Sequence, residues 1–281
     1  EGPADLAVKA TEKLLEKINF KKSDIDFVVF ATSTPDYFIP GSGSLFQVKM
    51  DLNNIGVLDI RQGCGGFVYA ISVADQYIKA GTYKNILVVG AEVQTTQLDF
   101  DDEGRGTAIL FGDGAAACLI TRTKEDKGIL STHLHSDGKC IDSLGTVFPS
   151  SRFKPIISDE NIKDRKHHIF MNGREVFKHA VKRFPEVILE GLEYNNIDLE
   201  DVKIVIPHQA NYRITQAVQR QLGVTEETVY SNVHKYGNTT AASVGIALSE
   251  ALEEGKINEN DIVVLAAFGA GFYWGSAIIK W

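Results

Sequence analysis

Three short stretches hold side chains that could form and break covalent bonds. In D-I-R-Q-G-C-G-G-F-V-Y-A-I-S, residues 59 to 72, Cys64 sits in a glycine collar between an apolar run and a run of small residues. In P-H-Q-A-N-Y-R-I, His208 stands directly after the apolar run V-K-I-V-I. In H-K-Y-G-N-T-T-A-A-S, Asn238 opens a second stretch of small residues. Thiol, imidazole and carboxamide together supply a nucleophile, a proton or hydrogen-bond donor and an amide donor. Two readings of Cys64 stand side by side. As a small hydrophobe it would only pack. At a helix start it would feel the positive end of the dipole, which favours thiolate, while Gly63, Gly65 and Gly66 allow a tight turn and close substrate approach. In the same way, His208 could be a hydrogen-bonded structural residue, and Gly237-Asn238 a plain turn.

The elements that must position these groups alternate. Leu6, Ala7, Ala10, Leu14, Leu15 and Ile18 recur at helical spacing. D-F-V-V-F-A-T-S (26 to 33) reads as a buried strand, followed by a Pro/Gly loop to Gly43; G-V-L-D-I (56 to 60), N-I-L-V-V-G (85 to 90) and A-A-A-C-L-I (115 to 120) read likewise. The alternation predicts an α/β protein with buried sheets. It also echoes itself. L-E-K-I-N-F-K-K-S-D-I-D-F-V-V-F (15 to 30) resembles L-E-Y-N-N-I-D-L-E-D-V-K-I-V-I-P (192 to 207), and F-G-D-G before A-A-A-C-L-I resembles F-G-A-G before F-Y-W-G-S-A-I-I. The echo aligns Cys64 and its helix with Asn238 and A-A-S-V-G-I-A-L, and predicts a duplication whose equivalent loops meet at a shared centre.

Composition bounds the partners. With 281 residues, 44% hydrophobic and 23% charged, the chain falls in the soluble globular range and can bury a large core. Its three cysteines, Cys64, Cys118 and Cys140, are too few and scattered for a disulfide framework or zinc site, which favours a reducing compartment and a cytoplasmic protein. The net charge of −8 argues against nucleic acid as a general partner but allows a local basic patch for an acidic macromolecule. No apolar run reaches the about 18 residues of a membrane span, and the start E-G-P-A-D-L-A-V-K-A does not read as a signal peptide. His133 and His135 have no third ligand in view and read as a strand-end feature rather than a metal site.

Seven motifs taken in order resemble the 3-oxoacyl-[acyl-carrier-protein] synthase III family of the thiolase superfamily, from about Leu6 to Trp281. They are Q-G-C-G-G-F, E-G-R-G-T-A-I-L-F-G-D-G-A, T-H-L-H-S-D-G, M-N-G-R-E-V-F-K, P-H-Q-A-N-Y-R-I, H-K-Y-G-N-T-T-A-A-S and A-F-G-A-G-F-Y-W-G-S-A. Neighbouring families fit less well. The last motif lacks a thiolase's second cysteine, and Asn238 stands where elongating synthases have another histidine. A-F-G-A-G-F replaces the G-F-G-P-G of chalcone-synthase-like enzymes, and T-S-T-P-D-Y-F offers only Asp36 where hydroxymethylglutaryl-CoA synthase needs a glutamate.

The resemblance implies a five-layer α-β-α-β-α thiolase-like fold of two duplicated halves, 1–165 with the nucleophilic cysteine and 166–281 with the histidine and asparagine. It implies a homodimer and a Cys64-His208-Asn238 triad. The reaction implied is a decarboxylating Claisen condensation of an acyl-CoA primer with malonyl-acyl carrier protein through acyl-Cys64, initiating fatty acid synthesis. His208 and Asn238 would hold the enolate, and the N–H groups of Cys64 and Ala270 the other oxyanion. No metal or redox cofactor is implied. Arg105 matches a coenzyme A contact, while Lys178, Arg213 and Arg220 match a carrier-protein patch. Leu110, Phe111, Met171 and Asn211 match pocket positions.

Four departures accompany the match. The family's first strand and the next segment, with a tryptophan and an arginine for coenzyme A, are not found. Arg61-Gln62-Gly63 replaces small residues before the cysteine, so that Gln62 could add a polar contact near it. Ala270 replaces the middle glycine of G-G-G, where a positive φ would strain alanine. Ile39 stands where the dimer partner commonly inserts a phenylalanine, which would admit a longer or branched primer. The alternatives are a catalytically reduced acyl-binding or partner protein, or a related condensing enzyme of secondary metabolism.

Overall fold

The run F-V-V-F-A has no polar face to turn to water, and it forms a strand buried along its whole length, β1 (Phe27–Ala31). β1 lies between β2 (Gly56–Ile60) and β3 (Asn85–Glu92), parallel to both, and β4 (Gly114–Thr121) ends the sheet antiparallel to β3. The computed structural model describes residues 1–281. Its second sheet runs β5 (Gly128–Ser136), β10 (Tyr273–Lys280), β9 (Ile262–Gly269) and β8 (Val202–Pro207), with only β8 and β9 paired in parallel. A short antiparallel pair, β6 (Leu144–Gly145) with β7 (Phe170–Met171), stands apart.

Helices α1 (Pro3–Lys17) and α2 (Ser42–Lys49) cover the outer face of the first sheet, and α6 (Gly173–Tyr194) and α7 (Tyr212–Leu222) that of the second. Between the sheets lie α3 (Gly66–Lys79) and α9 (Ser243–Glu253). The short helices α4 (Arg105–Ala108), α5 (Asp159–Lys163) and α8 (Val233–Tyr236) lie in connections. These are the expected five α-β-α-β-α layers. No helix is long and apolar enough to cross a membrane.

The expected duplication is visible in the pairing. β1, β3 and β4 repeat as β8, β9 and β10 in the same order and directions, and the counterpart of β2 shrinks to one bridge, Val205 to Val229. β10 also carries β5 on its outer side. β5 precedes residue 166 yet belongs to the second sheet, so sheet membership divides the chain within 122–127 rather than at 165/166.

Small residues make the central layer possible. Ala74 on α3 and Val244 and Ala247 on α9 sit among Val29, Val88 and Leu265, all buried. A Cβ built on Gly245 of α9 would lie 2.5 Å from the Ala116 methyl and 2.8 Å from the Phe67 ring. Helix and sheet therefore touch where a side chain would stand. Gly245→Val should lower the unfolding free energy by about 1–3 kcal/mol through overpacking, read from urea denaturation.

Candidate active site

The site grows from the ends of β2, β8 and β9. Shortly after β2 the chain makes a 3-10 turn, Gly63–Gly65, and enters α3, with Cys64 buried in that turn. Gly63 has φ +49°, and a Cβ there would press on Ala270 at 3.3 Å. At the end of β9, a Cβ on Gly269 would lie 2.6 Å from the Cys64 nitrogen, so that glycine lets the second half's strand close onto Cys64.

His208 follows β8, and its N–H donates to the Ala266 carbonyl at 2.8 Å. Its Nδ1 lies 2.5 Å from Ser243 Oγ. That hydroxyl accepts from the Gln209 N–H at 3.4 Å and can give its own proton to Nδ1, the tautomer in which Nε2 carries the ring proton. Nε2 is buried with no protein partner. Gln209 braces this corner, donating to the carbonyls of Pro207 and Tyr230.

Asn238 is pinned across the two halves. Its N–H donates to the Leu110 carbonyl at 2.8 Å, and its own carbonyl accepts from the Gly112 N–H at 3.0 Å. Side-chain Oδ1 accepts from the Thr240 N–H at 2.9 Å. That leaves Nδ2 as the end that can favour a charged Cys64 sulfur.

Burial governs the charges. The Cys64 thiol is pushed up to about 12, first by loss of water and then by the nearby charge of Glu92; the N–H groups of Cys64 and Ala270 and the Asn238 side chain act in the other direction. The expected dipole-stabilised thiolate is therefore corrected. Cys64 rests as a thiol, because desolvating the anion costs more than a helix start returns. His208 is pulled down to about 3 by burial and rests as neutral imidazole.

Two cavities meet at Cys64. One of about 440 Å³ has Ser33, Arg61, Gln94, Thr146, Thr240 and Ala270 in its wall. The other, about 100 Å³ and mostly apolar, is lined by Leu110, Phe111, Met171, Asn211, His208 and Asn238. The structure thus brings together the three candidate catalytic groups and four of the expected pocket residues. Asn211 also caps α7, its Oδ1 accepting from the Arg213 N–H at 2.9 Å.

Other expectations fall elsewhere. Ile39 is 81% exposed and Arg105 is exposed on α4; neither lines either cavity of its own chain. Lys178 on α6 and Arg213 and Arg220 on α7 are exposed on neighbouring helices. Ala270 escapes the feared strain, because the positive φ falls on Gly271, at +116°. Gln62 lines neither cavity, and its buried Oε1 has no partner, so the polar contact expected near the nucleophile does not form. His133 and His135 share Glu190, at 3.4 and 2.7 Å, and no group of three or more His, Cys, Asp or Glu is placed to hold a metal.

Sequence reasoning missed Arg61 as a wall residue, Ser243 as the His208 partner, and Glu92. The one available signal was an acidic residue closing the buried run N-I-L-V-V-G-A-E.

A buried thiol at the junction of duplicated halves is the arrangement of the thiolase-type condensing acyltransferases, and this chain is one of them. Residues 58–138 match the family model for 3-oxoacyl-[acyl-carrier-protein (ACP)] synthase III, and residues 192–281 that for its C-terminal part. The chain is 43% identical to the beta-ketoacyl-[acyl-carrier-protein] synthase III of Clostridioides difficile and 41% to that of Caldanaerobacter subterraneus subsp. tengcongensis, over 100% of this chain and 84% of each relative. The crystal structure of 3-oxoacyl-[acyl-carrier-protein] synthase III from Aquifex aeolicus aligns at a TM-score of 0.91 and 37% identity, over 100% of this chain and 85% of that one. The chain belongs to the beta-ketoacyl-[acyl-carrier-protein] synthase III family.

Two measurements test these electrostatics. Iodoacetamide labelling of Cys64, followed by peptide mass mapping, should accelerate about tenfold per pH unit from pH 7 to 10 without a plateau. His208 binds protons less readily folded than unfolded, so the stability tied to it is whole above about 6.5 and is lost as pH falls toward about 3. The acid-side fall in Tm should be shallower in His208→Gln.

Proposed function

We propose that the protein condenses an acyl-coenzyme A primer with malonyl-acyl carrier protein, the decarboxylating Claisen step that initiates fatty acid synthesis, with Cys64, His208 and Asn238 as its catalytic groups. The observation that carries this reading is the buried, unpartnered Nε2 of a neutral His208, which lines the same small cavity as Cys64 and Asn238. Two neutral donors converging near a thiol suit an enolate oxygen better than they suit base catalysis.

In the first stage the Cys64 sulfur bonds to the acyl carbon, the C–S bond to coenzyme A breaks, and the thiol proton leaves with coenzyme A. The N–H groups of Cys64 and Ala270 hold the tetrahedral oxyanion. In the second stage the malonyl thioester loses carbon dioxide, and its electron pair moves into an enolate held by His208 Nε2–H and Asn238 Nδ2–H. The enolate carbon then attacks acyl-Cys64, and the sulfur leaves and regains a proton. These steps call for no metal or redox cofactor.

Leu110, Phe111, Met171 and Asn211 line the approach to the triad, and Arg105 receives the phosphate and adenine end of coenzyme A. Lys178, Arg213 and Arg220, joined by Arg174 at the start of α6, offer the acidic carrier protein a cationic face. In a homodimer, the exposed run Tyr37, Phe38 and Ile39 supplies an apolar contact in which Ile39 closes the partner's acyl pocket and leaves room for a longer or branched primer. The reading places the enzyme in the cytoplasm.

Incubation with acetyl-, butyryl-, isobutyryl- and octanoyl-CoA should add the acyl mass to the protein and add nothing to Cys64→Ala. Asn238→Ala should still be acylated, yet condense about 10²–10³-fold more slowly with malonyl-acyl carrier protein. A folded protein that takes no acyl group from any donor would sink this reading.

A further inference from the structure

Glu92, the last residue of β3, is fully buried, and the donors around its carboxyl group are all neutral. Ser33 donates to it through N–H at 3.1 Å and through Oγ at 3.0 Å. Thr34 Oγ1 donates at 2.8 Å, Thr32 Oγ1 at 3.3 Å, Gln94 Nε2 at 3.4 Å and the Ala241 N–H at 3.4 Å. Two of these contacts reach the catalytic loop of the other half. Ala241 lies just beyond Asn238, and Gln94 also donates to Thr240 Oγ1 at 2.8 Å.

Thr240 needs such support. It has φ +49°, a left-handed conformation costly for a β-branched residue, and its N–H holds Asn238 Oδ1. A buried carboxylate without a cation is itself expensive, and an amide or apolar residue would cost the fold less. Its charge also reaches Cys64, where it opposes the thiolate.

We propose that Glu92 is a positioning residue for condensation: its carboxylate holds the Ala241 N–H directly and the Thr240 hydroxyl through Gln94, and so keeps Asn238 Nδ2 on the enolate oxygen. The inference rests on the condensing reaction proposed above. Glu92 therefore acts oppositely on the two stages. Ionised, it holds Asn238 in place but raises the thiol; protonated, it gives up an acceptor site and eases thiolate formation. Burial pushes its carboxyl up to about 7, so the change falls within the working range of pH. Cys64 is the titratable neighbour, and His208 stays neutral down to about 3; the 32–34 segment, Gln94 and the Thr240–Ala241 turn present neutral donors alone.

The test separates the stages in Glu92→Gln. Acylation of Cys64 by acetyl-CoA, followed by intact mass, should quicken by about tenfold at pH 8. Condensation of the preformed acyl-enzyme with malonyl-acyl carrier protein should slow by about 100-fold, and its rise with pH through about 7 in the parent should flatten. Thr34→Val keeps the carboxylate but removes its shortest hydrogen bond, so the condensation midpoint should move to higher pH, which reads the same clamp should Glu92→Gln not fold. Equal slowing of both stages, or parental rates in both, would overturn the assignment, as would an unmoved midpoint in Thr34→Val. A parent protein that is never acylated overturns it too, but by removing the reaction on which it rests.

Discussion

Two helices share one layer, and the site depends on that fact. α3 and α9 lie between the sheets because alanine and glycine let both approach strands that ordinary side chains would hold away. A Cβ on Gly90 would meet the Ala241 carbonyl at 2.7 Å, and one on Gly245 would meet Ala116. Cys64 lies in the turn before α3 and Asn238 in the turn before α9, so the contact between the helices also brings their starts together. His208 reaches the same point from β8 and is tied back to α9 through Ser243. The central packing and the chemistry are thus one constraint, which no single half can satisfy.

Dryness sets the chemical character of that centre. Removing water disfavours charge on either side, so both the thiol and the imidazole are driven further from their charged forms than their ordinary values of 9.0 and 6.5 would leave them. A preformed ion pair of thiolate and imidazolium would make a strong nucleophile but a poor enolate site. Neutral donors held in advance suit a charge that appears only during the reaction. In the reaction proposed above, nucleophilicity is thereby exchanged for control of the later step.

Much of this centre is legible in the sequence because local pattern and function coincide there. Cys64, His208 and Asn238 each sit in a short motif at the end of a strand or the start of a helix, and the echo between halves already pairs the first with the third. The buried runs at 27–31 and 85–92 have no alternation to misread. What fails depends on distant groups. Whether Cys64 ionises is decided by burial and by Glu92 from another strand. The φ of Ala270 follows from Gly271 taking the turn, and the membership of β5 from a partner strand more than a hundred residues away. Glu92 escapes notice because its donors come from three segments, none adjacent in sequence.

The covered strand of the second sheet carries a dynamic consequence. β10 lies between β5 and β9 and is buried through nearly its whole length. Local opening follows the exposure of backbone hydrogen bonds, so β10 is among the last strands to exchange its amides. Ala270 sits in the turn that leads from β9 into β10, and its N–H faces the Cys64 sulfur. That donor is therefore hung from the stiffest timber of the second sheet.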